Sequence, residues 1–363
     1  NYGRLPNNKF MINWPISGND YYLNLVEMNR HERKEALKSA KNHTLSFLYF
    51  LQHELGLNKL GLADDEFPTP DMLPFIPYFR ESRRIHGKVR FTLNHITDPY
   101  DQSEKLYRTS VAVGDYPVDH HHSGYSGSDT LPDVHFYPVP SYGLPLGVII
   151  PENTEDLIVA EKSISVTNLV NGTTRLQPVV LQIGQAAGTL AALSIKENIG
   201  ISKVSVRDVQ RELLGANGYL LPYLDVPIDH PWFRQLQRIG STGIMKGVGK
   251  NAGWSNQTFF RSYDTLYLSE LKGLSDIYSV TDVVFTTTPV TIAEALDLIK
   301  KVAAQNNIKV TEAMIADSFN MIGANTAASK MRIILRGEMA VLLDSILDPF
   351  NQCEVDIKGN FIR

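Results

Sequence analysis

Arg175-Leu176-Gln177-Pro178-Val179-Val180-Leu181-Gln182-Ile183-Gly184-Gln185-Ala186-Ala187-Gly188-Thr189-Leu190-Ala191-Ala192 is the stretch that decides how this chain is read. Proline is tolerated in the first turn of a helix, where its missing N–H has no partner to lose. The spacing therefore predicts a helix from Pro178 to about Glu197, stopping before Gly200. Gly184, Ala187, Gly188 and Ala191 recur at helical spacing and share one face. A glycine inside a helix costs about 1 kcal/mol relative to alanine, so two of them need a reason. A smooth face admits a second backbone or a flat ligand, and tight helix packing is the equal alternative. On either reading a leucine at Gly184 should overpack the contact and cost about 1–3 kcal/mol. The helix start also offers N–H groups and a positive dipole end to an electron-rich group.

Working upstream, Pro77-Tyr78-Phe79-Arg80-Glu81-Ser82-Arg83-Arg84-Ile85-His86-Gly87 gathers three arginines in one short segment. Guanidinium forks suit a carboxylate, a phosphate or an acidic sugar; the plain alternative is a surface paired with Glu81. Val113-Gly114-Asp115-Tyr116-Pro117-Val118-Asp119-His120-His121-His122 opens a loop over 114–146 that is rich in Gly, Pro, His, Ser and Tyr. Loops of that length inside a compact domain are usually functional or disordered, and the aromatic and histidine content favours function. Histidine titrates near neutrality, which suits proton exchange. Three adjacent histidines diverge and no second ligand pair completes a tetrahedral set, so no metal is expected.

The order of these elements is similar to that of the FAD-dependent oxidoreductases. Arg80 to Gly87 is similar to their Arg-Glu-x-Arg-Arg-Ile-x-Gly signature, and Gly114 to His121 to their Gly-Asp-Tyr-Pro-x-Asp-x-His element. Arg175-x-x-Pro178 with Gly184-Gln185-Ala186-Ala187-Gly188 resembles their closing helix. The resemblance covers about residues 1 to 200. It implies an FAD cofactor whose pyrimidine edge faces Gln177, Pro178, Val179 and Val180, with Arg175 near the active-site cavity. It further implies that Arg80 and Arg83 orient substrate or flavin. Asp119, His120, His121 and His122 would supply a proton donor or acceptor. The glycine-rich segment that grips the ADP half of the cofactor is missing from this sequence, so the chain alone is expected to be inactive.

Elsewhere the pattern predicts a helix over 28–55, extended segments at Lys88–Asn94 and Ser110–Val113, and a short buried strand at 157–160. The passage from Phe67 to Pro77 is too proline-rich for helix or central strand and too apolar for a free linker, so it should press against a core. A composition shift at Gly215–Pro222 marks a boundary between 1–215 and 216–363. The fold class is α/β (α+β): a partial FAD-oxidoreductase domain followed by a smaller, mainly helical one.

Gly240 to Lys250 is glycine-dense, yet it follows a helical pattern and fits neither a dinucleotide fingerprint nor a phosphate loop. His230-Pro231-Trp232-Phe233 with Gly243-Ile244-Met245-Lys246-Gly247 resembles an S-layer-homology-type repeat. Tyr267-Leu268-Ser269-Glu270, Thr291-Ile292-Ala293-Glu294 and Leu335-Arg336-Gly337-Glu338 resemble degenerate copies of its helix start. That resemblance implies a cell-envelope polysaccharide as partner, or a purely structural cap, and a periplasmic or secreted location, with the cytoplasm left open.

The 363 residues are 43% hydrophobic and 20% charged, with a net charge of −4. That balance gives no electrostatic reason for a nucleic-acid partner. The single cysteine, Cys353, excludes an internal disulfide. No unbroken apolar run approaches the ~20 residues of a membrane span. Asn1-Tyr2-Gly3-Arg4 reads as the interior of a longer protein. The substrate would be a small organic molecule or a carbohydrate. The competing class is a cell-surface polysaccharide-binding or polysaccharide-cleaving protein, with His121 and Tyr125 performing β-elimination and the arginines holding uronic acids. Such a lyase has no use for the Gly-Gln-Ala-Ala-Gly helix.

Overall fold

The computed structural model describes residues 3–121, 130, 136–252 and 256–362. The chain divides into two compact units: Asn1–Arg83 with His120–His135, and Arg84–Asp119 with Phe136–Arg363. His122 and Tyr125 lie outside the described residues.

In the first unit β1 (Arg4–Leu5) and β2 (Lys9–Phe10) pair antiparallel, and a long helix, α1 (Arg30–His53), follows. The helix starts at Asn29, whose side chain accepts from the N–H groups of His31 and Glu32 at 2.9 and 3.1 Å. Glu32 accepts from the Asn29 N–H in return at 2.8 Å, so a capping box fixes this terminus. Trp14 meets Phe47 edge-on at 5.9 Å, and His43 Nε2 lies 2.9 Å from the Gly18 carbonyl. Among the described residues up to 83, only Leu51 and Leu73 are buried apolar side chains. The proline-rich passage therefore departs from expectation: Leu73 is covered, whereas Phe75 and Ile76 are each 74% exposed. The core of this unit is too small to receive them.

The second unit opens with a short helix, α2 (Leu93–Thr97), and an antiparallel pair, β3 (Ser110–Gly114) and β4 (Tyr142–Pro145), with Ala112 opposite Leu144. Next come α3 (Asn168–Thr174), α4 (Gln177–Glu197) and α5 (Val206–Gly215). Helix α4 packs on β3 and buries Val179, Ile183, Ala186, Leu190 and Leu193. From its flank Gln182 accepts from the Val113 N–H at 3.0 Å and donates to the Val113 carbonyl at 3.1 Å. Its amide occupies the strand edge as a neighbouring strand would.

Three sequence expectations are corrected here. Lys88–Asn94 forms no strand; it is stitched by single bridges, Gly87 to Pro151 and Phe91 to Val166, before α2 begins. Residues 157–160 are irregular, flanked by Asp156 and Glu161 at φ 54° and 70°, and Leu157 faces solvent. The smooth face of α4 points outward: Leu181 is 75% and Ile195 81% exposed, and a Cβ at Gly184 or Gly188 would meet nothing within 4 Å. The reason is the buried stripe itself, which turns the glycines to the opposite side of the helix. Gly184→Ala is therefore expected to stabilise this chain by about 1 kcal/mol through helix propensity alone. A lowered urea midpoint for that variant would show a contact on this face. In length and composition α4 could also cross a membrane, although one face is committed to β3.

The unit continues through α6 (Phe233–Thr242), β5 (Val248–Lys250), β6 (Gln257–Phe259) and α7 (Leu274–Ile277). It closes with α8 (Ile292–Gln305), α9 (Glu312–Ile322), α10 (Ala327–Lys330), α11 (Arg336–Ile346) and α12 (Pro349–Gln352). The three proposed repeat starts share one device. The N–H groups of Tyr267, Thr291 and Leu335 donate to Glu270, Glu294 and Glu338 at 2.9, 2.7 and 2.8 Å, each three residues on. The residues just before them, Leu266, Val290 and Ile334, are all buried. Leu266 N–H donates to Ile334 O at 3.1 Å, and Ile334 N–H to Val290 O at 2.9 Å, which ties the three turns together.

Residues on both sides of 215–225 belong to this one unit. Gln237 of α6 pins the crossing segment, accepting from Leu220 and Leu221 N–H at 2.8 and 2.7 Å. Buried Arg108 reaches forward to Thr242 O at 3.0 Å, Gly359 O at 3.2 Å and Asp276 Oδ2 at 2.8 Å.

Candidate functional site

In the second unit α3 and the start of α4 organise the segment from Gly114 to Asp119. Val118 and Tyr137 exchange N–H to O bonds at 2.9 and 3.1 Å, which holds the segment extended. Thr173 Oγ1 donates to Tyr116 O at 2.5 Å and lies 3.0 Å from the Tyr142 hydroxyl. One helical step later Arg175, buried at the end of α3, donates from Nη2 to the Asp119 carbonyl at 3.0 Å and to Asp119 Oδ2 at 3.1 Å. Charge-assisted bonds of this kind between buried partners are strong. Arg175 and Asp119, selected separately from sequence, are thus one latch. The guanidinium serves Asp119 here and spends those donors on it.

Leu176 caps α4 without a side-chain hydrogen bond, and Gln177 and Pro178 are exposed at its mouth. Val179 and Val180 both donate to Leu176 O at 3.0 Å, and Pro178 has no N–H. Of the four positions selected from sequence, Gln177 contributes the first-turn donor, while Val179 is packed into the core. The dipole of a 21-residue helix still ends at this mouth.

Asn171 heads a glycosylation sequon, Asn171-Gly172-Thr173. It is fully buried, one turn ahead of Arg175, and among the described residues neither atom of its amide has a hydrogen-bond partner. Such burial excludes glycan attachment in the folded chain. An orphaned buried amide costs about 1–3 kcal/mol, so it marks a place where stability is given up. A recess of about 220 Å³ lies farther along α4, beside Val111, Gln182, Leu213 and Tyr219. It falls below the ~300 Å³ usual for a small-molecule site.

The first unit gathers a different set. Asp20 lies between Arg80 and His121: Arg80 Nη1 sits 2.5 Å from Oδ1 and His121 Nδ1 2.7 Å from Oδ2. Burial works to raise the Asp20 carboxyl. Bonding to His121 and the charges of Arg80 and His121 outweigh it and hold the group below the ordinary carboxylate range. His120, buried, has Nδ1 3.7 Å from Glu81 Oε1. Arg83 stands apart and pairs with Glu27 at 3.2 Å on the surface. Arg80 and Arg83 thus pair with Asp20 and Glu27, and Glu81 approaches His120. Asp20 was not legible in the sequence, because it lies about a hundred residues from His121 inside an ordinary polar turn.

Comparison with known families matches the model for FAD dependent oxidoreductase over residues 1–213. Comparison with the curated proteins and with the solved structures finds no match. The family match covers more than half of the chain, which therefore belongs to the FAD dependent oxidoreductase family and has FAD as its cofactor.

Proposed function

We propose that the complete protein transfers hydride or electrons from a small organic substrate, with carbohydrates as the leading class, and that this chain supplies its ring-edge and proton-handling side. The observation that carries the proposal is the Arg175–Asp119 latch directly before the uncapped mouth of α4. The donor set there fits the electron-rich edge of a flavin: an exposed first turn, the Gln177 N–H and a helix dipole. FAD supplies the redox chemistry when bound. The chain's own residues do the rest. Arg175 holds Asp119 and the end of its segment in one geometry. The α4 mouth favours negative charge. His120 and His121, each beside a carboxylate, hold and move the proton that accompanies oxidation of a hydroxyl-bearing carbon.

The ADP half of the cofactor finds no such fit. No Gly-x-Gly-x-x-Gly occurs in the sequence, so the usual strand-to-helix cradle for the pyrophosphate is not supplied by these residues. FAD titrated into this chain, followed by flavin fluorescence, should bind weakly. Tight stoichiometric binding would overturn that division of labour.

The reading of 216–363 as degenerate S-layer-homology repeats is part of the same proposal. It draws support from the three matched glutamate caps and their buried neighbours. It implies a periplasmic or secreted enzyme held near cell-envelope polysaccharide. Co-sedimentation of the chain with purified wall polysaccharide tests it, and protein left wholly in the supernatant would reduce this region to a structural cap.

A further inference from the structure

We propose that Asp20 is the positioning residue for His121: its carboxylate holds the imidazole by Nδ1, with Arg80 fixing the carboxylate from the other side. The inference rests on the reading of His121 as a proton-handling group.

Three features of the first unit carry it. Asp20 is a bridge rather than a surface pair, because each oxygen has its own partner, Arg80 at 2.5 Å and His121 at 2.7 Å. Both side chains of the His121 pair are largely withdrawn from solvent, which strengthens the attraction relative to an exposed pair. Finally, two neighbouring acids are seen against other groups: Glu81 faces His120, and Glu27 pairs with Arg83. The 2.7 Å contact assigns the Asp20 carboxylate to His121, and Arg80 keeps that carboxylate from swinging away.

The chemical consequence follows from how imidazole works. A carboxylate at one ring nitrogen sets the tautomer and orients the ring, so exchange with a substrate runs through the other nitrogen. Here Nδ1 carries the proton facing Asp20, and Nε2 is the atom that takes a proton from substrate. The ring then becomes imidazolium, and its new charge lies beside the Asp20 carboxylate. Removing the carboxylate should release the tautomer and weaken the ring as a base, while leaving Glu81 and His120 in place.

Histidine side-chain nitrogen resonances of the full chain test this, with His121 assigned by its loss in His121→Gln. In the parent, the neutral ring should carry its proton on Nδ1. In Asp20→Asn the tautomer should shift toward Nε2–H and the titration midpoint of His121 should move to lower pH. Asp20→Glu should restore the parent tautomer at least in part, which a merely structural role would not do. Arg80→Met, which leaves the carboxylate but frees it, should give an intermediate spectrum and serves if Asp20→Asn fails to fold. A tautomer and midpoint unchanged in both Asp20→Asn and Arg80→Met would overturn the assignment. The underlying reading fails separately: a His121→Gln enzyme, tested as the flavin-loaded full protein, would then turn over at the parent rate whatever the tautomer result.

Discussion

Arg207→Ala is expected to lower the unfolding free energy by about 3 kcal/mol, within the 2–5 kcal/mol typical of large-to-alanine changes in a core. The side chain is fully buried on α5. Its Nη1 donates to Gln210 Oε1 at 2.7 Å and reaches Arg108 O and Ser241 Oγ at 3.4 Å, while Nε reaches Cys353 O at 3.4 Å. The guanidinium also stacks 4.6 Å from the Phe350 ring. Burial pulls its pKa down to about 10, with Glu354 acting against the shift, so the group stays charged at neutral pH. Alanine would leave a void and strand several buried acceptors at once, each costly to leave unmade. Because Arg207 precedes 215–225 and Ser241, Phe350 and Cys353 follow it, the loss should appear in one transition that takes both sides together. Urea unfolding at constant m measures it. A shift under 1 kcal/mol, or two separate transitions, would show that residues 216–363 keep a core of their own.

Gly359→Ala should be nearly as damaging, by about 3 kcal/mol, for a reason of backbone geometry. Gly359 sits at φ 83°, where an L side chain costs about 1–2 kcal/mol. A Cβ built there would also fall inside the contact distance of the Lys105 backbone carbonyl, which cannot rotate away. The turn is held tightly: Asp356 Oδ1 accepts from the N–H groups of Lys358 and Asn360 at 2.9 Å, and buried Arg108 donates to Gly359 O at 3.2 Å. Gly323 supplies the control, since it has φ 67° and open space around its Cβ position. Gly323→Ala should cost only the conformational share, about 1 kcal/mol. Thermal unfolding of the two variants compares them directly. Equal losses would mean that the segment around Gly359 yields and the overlap is relieved.

Helix starts were the most legible part of the fold, because their signals are local. Asn29 with Glu32 and Thr291 with Glu294 bond reciprocally, and Glu338 accepts from the Leu335 N–H; in all three the partners stand at an offset the sequence itself specifies. The limits of α4 were legible for the same reason, from Pro178 at one end to a left-handed Asn198 at the other. Strands were less so, because pairing is a long-range property. Tyr142–Pro145 contains a glycine and a proline and declares itself only by lying beside Ser110–Gly114. The outward turn of Gly184 and Gly188 was misread because spacing identifies a face without saying which way it points. At the site, Arg175 and Asp119 were found singly, but their mutual bond was not visible. Asp20 was missed because what singles it out is its neighbours in space.

The three capped turns around Leu266, Val290 and Ile334 carry a consequence for sequence drift. Each needs one glutamate at a fixed offset and one apolar residue before the turn. Every other position in the motif can change, as the differing tetrads Tyr267–Glu270, Thr291–Glu294 and Leu335–Glu338 already illustrate within a single chain. Arg336 sets the third turn apart, since it alone of the three first-turn residues pairs with Glu270 of another turn and donates to Phe260 O at 3.0 Å and Lys246 O at 2.9 Å. A turn specified by so few residues keeps its shape while the rest of its sequence changes. Copies of such a motif are better sought by the offset between an apolar residue and its glutamate than by overall identity.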